Sequence, residues 1–177
     1  ATGRAAHAGV LFRDAEAIEN LRRIDTLIVD KTGTLTEGKP AFRAVRSAGG
    51  VTEDELLRLA ASLDQASEHP LAEAIVAEAR RRSLPLDQPA GFESSTGIGV
   101  RGRVGEKALA VGNTALMQQL GVDTAPLAGE AEALRRDGAS VMYVAADGAL
   151  AGLLAVADPI KASTPDAIGS LRAAGLR

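Results

Sequence analysis

The segment VDKTGTLTEGKP, residues 29–40, places a carboxylate and an ammonium group among small and hydroxyl-bearing residues. It begins where IDTLIVD, a nearly continuous run of branched apolar residues, ends. Such a run predicts a strand covered on both faces, as in a parallel α/β sheet. Because ligands of open α/β sheets bind beyond the carboxyl ends of the strands, we expect Asp30 to face a crevice, with the positive charge of Lys31 nearby.

The residues after Asp30 suit a phosphate group. Thr32, Gly33 and Thr34 supply hydroxyls and a permissive backbone whose N–H groups can cradle a phosphate. A carboxylate that forms an aspartyl-phosphate is an established route for phosphoryl transfer. Thr32 stands where a phosphatase of this plan profits from a second carboxylate to activate water, so the phospho-aspartate is expected to persist. The alternative is a capped loop in which Asp30 is an Asx-turn residue.

DKTGTLTEGKP resembles the phosphorylation motif of P-type ATPases, and its Glu-Gly-Lys-Pro end resembles their heavy-metal-transporting branch. The resemblance extends over nearly the whole chain. It implies a haloacid-dehalogenase-like (Rossmann-like) α/β phosphorylation domain, incomplete here, with an inserted α+β nucleotide-binding domain built on an antiparallel sheet. It also implies that ATP phosphorylates Asp30, that Lys31, Thr32 and Thr34 complete the catalytic loop, and that the Asp30 carboxylate and the Thr32 carbonyl contact Mg²⁺.

The residue pattern changes after Pro40, from one typical of parallel α/β structure to one typical of an antiparallel sheet with helices. This predicts residues 1–39 and 157–177 as the phosphorylation domain and residues 40–156 as the insertion. Asp158-Pro159, with Lys161 just after, resembles the hinge at which the chain re-enters the first domain; the alternative is a solvent-exposed turn. The chain stops where an α/β domain would enter its next strand, so we expect a fragment of a longer pump.

Local signals predict the elements of the chain. The first part of the chain has signals for a short helix capped by Asp14, a strand at Phe42–Val45, a helix after the Thr52/Glu55 capping box, and a helix from Pro70 with a Glu78–Arg82 pair. The middle has signals for strands around Gly99–Gly112, a helix capped by Asn113 or Thr114 and ended by Gly121, and a helix over 127–136. The last part has signals for a hairpin at Asp147-Gly148 and a terminal helix capped by Thr164-Pro165 and ended by Gly175.

The segment SEHPL, residues 67–71, places His69 at a helix start, where the first-turn N–H groups favour anions. A neutral imidazole there can stack on a purine or bind it by a hydrogen bond; the alternative is a surface or capping residue. Ser-Glu-His-Pro, which includes Glu68, resembles a marker of heavy-metal pumps in which the histidine orients adenine. Five residues earlier, where that family usually has a glutamate that contacts adenine, this chain has Asp64.

Glycines of the middle region form a further candidate site. GIGVRG, residues 97–102, has the spacing of a dinucleotide fingerprint, but alternating residues follow it in place of a helix, so that interpretation fails. Bare backbone at Gly97 and Gly99 still allows a nucleotide to approach closely, as the resemblance implies, and Gly112 and Asn113 match another nucleotide-contacting position. The alternative for such glycines is hairpin and bulge geometry.

Composition excludes several classes of function. The 20 basic and 23 acidic residues give a net charge of −3, and aromatic residues make up 2% of the chain, so nucleic acid is not an expected partner. The longest apolar run, Ala149–Ala157, is far shorter than the roughly 20 residues of a membrane helix. We expect a monomeric, cytoplasmic portion of a cell-membrane protein that binds ATP and Mg²⁺ but not the transported ion.

The implied function is that of an ATP-binding piece of a heavy-metal exporter, most simply for Cu⁺, with zinc, cadmium and cobalt left open. The implied partners are the actuator domain, the transmembrane domain and the rest of the phosphorylation domain. Two alternatives remain: a haloacid-dehalogenase-type phosphatase or phosphotransferase with a large cap domain, and a regulatory nucleotide-binding module in which Asp30 is inert.

Overall fold

A computed structural model describes His7, Gly9, Glu16, Asn20 and residues 23–177. The expected helix capped by Asp14 lies outside the described residues. Contacts divide the chain into two compact units: Ala1–Thr36 with Ile160–Arg177 form the smaller one, and Glu37–Pro159 form the larger one.

The larger unit is built on a six-stranded antiparallel sheet with the strand order β1-β6-β5-β4-β3-β2. Its strands are β1 (Ala41–Ser47), β2 (Ala90–Ser95), β3 (Gly99–Val104), β4 (Lys107–Gly112), β5 (Ser140–Ala146) and β6 (Ala149–Ala157). The predicted antiparallel sheet is confirmed. The predicted hairpin turn at Asp147-Gly148 is also confirmed, with φ of 50° at Asp147 and 80° at Gly148. A two-residue turn with positive φ at both positions matches the twist of the strands that it joins.

The two longest helices of this unit pack against one face of the sheet. Helix α1 is Glu53–Asp64 and helix α2 is Pro70–Arg81, as predicted. Thr52 Oγ1 accepts a hydrogen bond from Glu55 N at 3.2 Å, while the Glu55 carboxylate pairs with Arg58, so only half of the capping box forms. Buried leucines of α1 meet Ile75 of α2 and apolar residues of β3, β4 and β6 in one cluster.

Shorter helices cover the other face: α3 (Thr114–Gln119) and α4 (Ala128–Arg136), the latter preceded by a 3₁₀ turn at Ala125–Leu127. Alternate residues of β5 belong to different apolar clusters, Val144 to the first and Tyr143 to the second. Because successive strand residues point to opposite faces, the sheet separates the two clusters.

In the smaller unit, the expected strand over IDTLIVD is wrong for this structure. Arg177 N donates to Asp25 O at 2.9 Å and Leu27 N donates to Arg177 O at 2.8 Å, which is the pattern of parallel neighbours. The segment nevertheless forms no regular strand, and Ile28 is 94% exposed. Arg177 is the one described residue with a backbone hydrogen bond to it, so the segment lacks the neighbours that would build a sheet around it.

Helix α5 (Thr164–Ala173) completes the smaller unit. The predicted cap at Thr164 is wrong, because the cap position belongs to Ser163 and Thr164 is the first helical residue. The Thr164 hydroxyl instead donates to Leu35 O at 2.7 Å, a bond across 129 positions of sequence. The expected end of the helix near Gly175 is confirmed, with a φ of 87°.

Candidate nucleotide and phosphoryl-transfer sites

Asp30 stands at the entrance of one wide backbone turn, Lys31–Leu35, which is closed by a hydrogen bond from Thr36 N to Lys31 O at 3.2 Å. Gly33 adopts a φ of 75° inside the turn, and its N–H donates to Thr36 Oγ1 at 3.1 Å. The side chain of Asp30 is exposed and caps nothing, which removes the support for an Asx-turn role. The carboxylate is therefore available to a ligand.

The other predicted catalytic residues, Lys31, Thr32 and Thr34, lie on the same turn and are exposed. Thr32 has extended backbone angles, φ −74° and ψ 124°, which break the helical path directly after Lys31. The structure thus places all four predicted catalytic residues on one exposed turn.

A segment far along the chain holds this turn in place. Lys161 Nζ donates to Gly33 O at 2.7 Å, and Lys161 N and Thr164 Oγ1 both donate to Leu35 O, at 3.0 and 2.7 Å. A bridge between Thr36 and Ile160 continues the contact. Nothing in the local sequence around Asp30 signals these donors, because they come from the second chain segment of the unit.

The larger unit contains an open cleft of about 490 Å³. Six of the seven residues predicted to bind nucleotide line it: Asp64, His69, Gly97, Gly99, Gly112 and Asn113. Glu68 does not; it is exposed beside the cleft-lining His69. Sequence reasoning missed the remaining wall, which includes Leu71, Ile98, Val111, Ser140 and Met142.

His69 is the N-cap of α2, and its Nδ1 accepts a hydrogen bond from Leu71 N at 3.2 Å. A ring nitrogen that accepts must carry a lone pair, so in the neutral ring this bond assigns the proton to Nε2. The capping role and the cleft-lining position occur together in one side chain. His69 can therefore present a ring face and an N–H donor to a ligand while its other nitrogen anchors the helix.

Asn113 fixes the opposite wall of the cleft. Its Oδ1 accepts from Leu116 N at 3.1 Å and so caps α3, while its Nδ2 donates to Gly97 O at 2.8 Å. Its backbone N–H donates to Ile98 O at 3.0 Å. The turn at Gly97 is thus tied to the start of α3 by two hydrogen bonds.

The cleft glycines differ in what requires them. A Cβ at Gly99 would lie 2.3 Å from Val111 O, and one at Gly112 would lie 2.4 Å from Ile98 O, so close packing of β3 on β4 excludes a side chain at either position. A Cβ at Gly97 would meet nothing within 4 Å, although the φ of 72° still favours glycine. Gly97 is therefore the position where bare backbone borders open space.

Asp64 is the last residue of α1 and is 4% exposed, yet it lines the cleft. Burial raises the pKa of its carboxyl to about 7, because the charged form loses its hydration. No side-chain atom in the described part of the chain is both fully sealed and unpaired, so the carboxyl keeps contact with the cleft.

The chain enters and leaves the larger unit beside Asp158. Its Oδ2 and Oδ1 accept hydrogen bonds from Gly38 N and Lys39 N, both at 3.2 Å, and Glu37 N donates to Pro159 O at 2.8 Å. The carboxylate thus binds the chain segment that enters the larger unit and holds it next to the segment that leaves it.

The haloacid dehalogenase-like hydrolase family matches residues 24–177 of the chain. The chain belongs to this family. In this haloacid dehalogenase-like hydrolase, the match covers residues 24–36 and the whole second segment of the smaller unit together with the whole larger unit, so the predicted fold class is confirmed.

Known proteins similar to this haloacid dehalogenase-like hydrolase are P-type ATPases, which confirms the resemblance seen in the sequence. A copper-transporting P-type ATPase of Rhizobium leguminosarum is 55% identical over all of the chain and 21% of its own length. A zinc-transporting PIB-type ATPase solved in the E2·Pi state is 32% identical, with a TM-score of 0.82 over 99% of this chain and 28% of that one. The N-domain of HMA6, a copper-transporting P-type ATPase, matches 67% of the chain and 98% of its own length at 27% identity and a TM-score of 0.57.

The chain spans about a fifth of the length of the curated Rhizobium leguminosarum relative. Within the described residues, no helix has the length and apolar content to cross a membrane, and no three His, Cys, Asp or Glu side chains gather as a metal site would require.

Proposed function

We propose that the larger unit binds ATP in its cleft and that Asp30 of the smaller unit accepts the γ-phosphoryl group. The observation that carries the proposal is the gathering of Asp64, His69, Gly97 and Asn113 around one cleft, although they come from well-separated stretches of sequence. A base between the His69 ring and the apolar wall would be held by stacking, and the N–H groups at Gly97 lie on bare backbone.

In the proposed reaction an Asp30 oxygen attacks the γ-phosphorus in line, a P–O bond forms, and ADP leaves with the electrons of the β–γ bridge. The Asp30 carboxylate is exposed and forms no helix-capping hydrogen bond that would have to break before it reacts. Thr32 cannot act as the base that activates water, so the acyl-phosphate is expected to persist. The two sites belong to different units, so the reaction requires the nucleotide bound to one unit to meet Asp30 of the other.

Mg²⁺ is the implied metal, and the residues present fit part of its site. Mg²⁺ prefers oxygen ligands and is bound by one or two carboxylates together with substrate phosphates and water. The exposed Asp30 carboxylate and the Thr32 carbonyl on the same turn are the groups that would hold it. When bound, it neutralises charge on the transferring phosphoryl group.

We propose further that the intact protein is an ATP-driven heavy-metal exporter of a cell membrane, with this chain as its cytoplasmic catalytic portion. The 55% identity to a copper transporter favours Cu⁺ as the cargo. A zinc transporter is the second candidate, because a zinc-transporting ATPase has the same fold over nearly the whole chain.

Nucleotide titration of the purified chain tests the two-site layout. His69→Asn keeps an N-cap oxygen but removes the ring, and we expect ATP affinity to fall by about tenfold, the scale of one lost stacking contact. Glu73→Gln on the same helix is the matched control and should bind as the wild type does, because Glu73 is exposed and does not line the cleft.

Asp30→Asn should leave ATP affinity within about twofold, because Asp30 belongs to the other unit. Equal losses of ATP affinity in His69→Asn and Asp30→Asn would contradict separate nucleotide and phosphorylation sites. Unchanged ATP affinity in His69→Asn would show that the nucleotide does not bind in this cleft.

A further inference from the structure

The carboxyl of Asp64 is the buried ionisable group whose chemistry the proposed reaction leaves undefined. It is 4% exposed and opens on the cleft, and within the described residues no side chain or backbone group forms a hydrogen bond with it. An isolated buried carboxylate is costly, and such a group commonly neutralises by holding its proton. Its place at the C-terminal end of α1 adds a negative helix dipole, which also disfavours an anion.

Among the residues that the structure describes, no cation pairs with this carboxyl. The one other titratable residue of the cleft wall is His69, whose Nδ1 is committed to the helix cap. The charged residues on α1 and on the elements packed against it are Arg43, Arg46, Glu53, Asp54, Glu55, Arg58, Glu73, Glu78, Arg80, Arg81, Arg101, Arg103 and Lys107. None of them lines the cleft, and burial raises the pKa of Asp64 to about 7.

We propose that Asp64 recognises adenine as a neutral carboxylic acid, donating a hydrogen bond from its O–H to N1 and accepting one from the 6-amino group. This rests on the proposed binding of ATP in the cleft. A neutral acid carries one donor and one acceptor, which is the complement of that edge of adenine, whereas a carboxylate offers acceptors alone and would face the lone pair of N1. The Asp64 proton is thus part of the recognition element.

Guanine gives the opposite dependence on the Asp64 proton. Its corresponding edge carries N–H donors at N1 and at the 2-amino group, which a carboxylate can accept in bidentate fashion. Loss of the proton therefore weakens adenine binding and strengthens guanine binding. Asp64 is in this way a residue that determines base specificity, and its proton sets the preference.

The test is calorimetric titration of the chain with Mg·ATP and Mg·GTP from about pH 6 to about pH 8, compared between the wild type and Asp64→Asn. Asparagine has the size of aspartic acid and carries a fixed N–H donor and C=O acceptor, so it mimics the neutral acid. We expect wild-type ATP affinity to fall about tenfold over this range, because binding competes with ionisation of the carboxyl. Asp64→Asn should bind ATP within about threefold of the wild type at the acidic end and stay flat.

The ratio of GTP to ATP affinity should rise about a hundredfold over this range in the wild type, about tenfold from each nucleotide, and stay constant in Asp64→Asn. Titration of the nucleotides themselves cancels, because both proteins meet the same ligands. His69→Asn should retain the pH dependence, which separates Asp64 from the other titratable residue of the cleft.

Wild-type ATP affinity that rises with pH, or a loss of more than about tenfold in Asp64→Asn at the acidic end, would show an anionic Asp64 and overturn the inference. Binding of ATP that is indifferent to pH in both proteins would overturn it while leaving the proposed function intact. Failure of the wild type to bind ATP at any pH would instead overturn the proposed function itself. The wild-type ratio of GTP to ATP affinity needs no variant, because both nucleotides carry the same triphosphate, so it decides the matter even if Asp64→Asn folds poorly.

Discussion

The ammonium group of Lys161 donates a hydrogen bond to the carbonyl oxygen of Gly33 at 2.7 Å, although 128 positions of sequence separate the two residues. In a trans peptide the C=O of one residue and the N–H of the next point in opposite directions. Holding the Gly33 carbonyl toward Lys161 therefore directs the Thr34 N–H the other way. A cation from the second chain segment of the smaller unit thus orients the backbone of the turn that follows Asp30.

Lys161→Met should loosen this turn. Loss of a charge-assisted hydrogen bond costs about 1–2 kcal/mol, so hydrogen exchange of the Gly33 amide should quicken by roughly tenfold. Lys161→Arg should retain most of the protection, because it keeps a donor cation. Nucleotide affinity of the larger unit should be unchanged in both. Protection of Gly33 that is identical in wild type and Lys161→Met would mean that the bond does not hold the turn.

His69 is both the N-cap of α2 and part of the cleft wall, and two substitutions separate these roles. His69→Ala removes the cap of α2 and should lower the free energy of unfolding of the chain by about 1 kcal/mol, whereas His69→Asn should lower it by a few tenths at most. Urea denaturation of the two variants measures the difference. Equal stability of the two variants would show that the Nδ1 contact with Leu71 does not stabilise the helix.

The cleft glycines should differ in their tolerance of alanine. Gly99→Ala and Gly112→Ala force a Cβ against backbone carbonyls and should each cost about 3 kcal/mol of unfolding free energy. Gly97→Ala places its Cβ in open space and should cost about 1 kcal/mol, the strain of its left-handed backbone. Chemical denaturation ranks the three variants, and a cost at Gly97 equal to that at Gly99 would contradict the packing described for β3 and β4.

The stability of the chain should depend on the proton of Asp64. Its pKa is raised in the folded state to about 7 from an ordinary 3.8, so the folded chain keeps a proton that the unfolded chain releases. The free energy of unfolding should therefore fall by about 1.4 kcal/mol per pH unit between about pH 4 and about pH 7 and level off above. The contribution is fully present below the unfolded pKa and is lost as pH rises.

Subtracting the pH profile of Asp64→Asn isolates this contribution. Other carboxyls act in the opposite sense: Arg81 and Arg82 lower the pKa of Glu78 to about 2, so its stabilisation is lost on acidification. Both proteins share such groups, so they cancel in the difference. A flat difference profile would mean that Asp64 ionises as readily in the folded chain as in the unfolded one.

Elements with strong local signals were predictable from sequence. The Thr52 cap, Pro70 at the start of α2, the Asn113 cap and the Asp147-Gly148 turn each depend on residues a few positions apart, and all four appear in the structure. The pairing of β1 with β6 and the donors to the Asp30 turn join residues more than a hundred positions apart, which local patterns do not encode.

The candidate sites divide in the same way. Asp30 and His69 can be recognised from the sequence because each stands in a motif of particular residue types at a fixed spacing. The part of the cleft wall that Ser140 and Met142 form has no such motif. Thr164 illustrates the limit: its neighbour Pro165 suggests a helix cap, but its hydroxyl is committed to Leu35 O, a distant acceptor.

The central claim is that Asp30 takes the γ-phosphoryl group of ATP. The most direct measurement replaces the matching segment of the Rhizobium leguminosarum copper-transporting P-type ATPase with this chain and supplies ATP radiolabelled at the γ-phosphate. We predict an acid-stable, hydroxylamine-sensitive label on the wild-type chimaera that is absent from Asp30→Asn, while both bind ATP equally. Label that persists in Asp30→Asn, or no label on a wild-type chimaera that binds ATP, would contradict the claim.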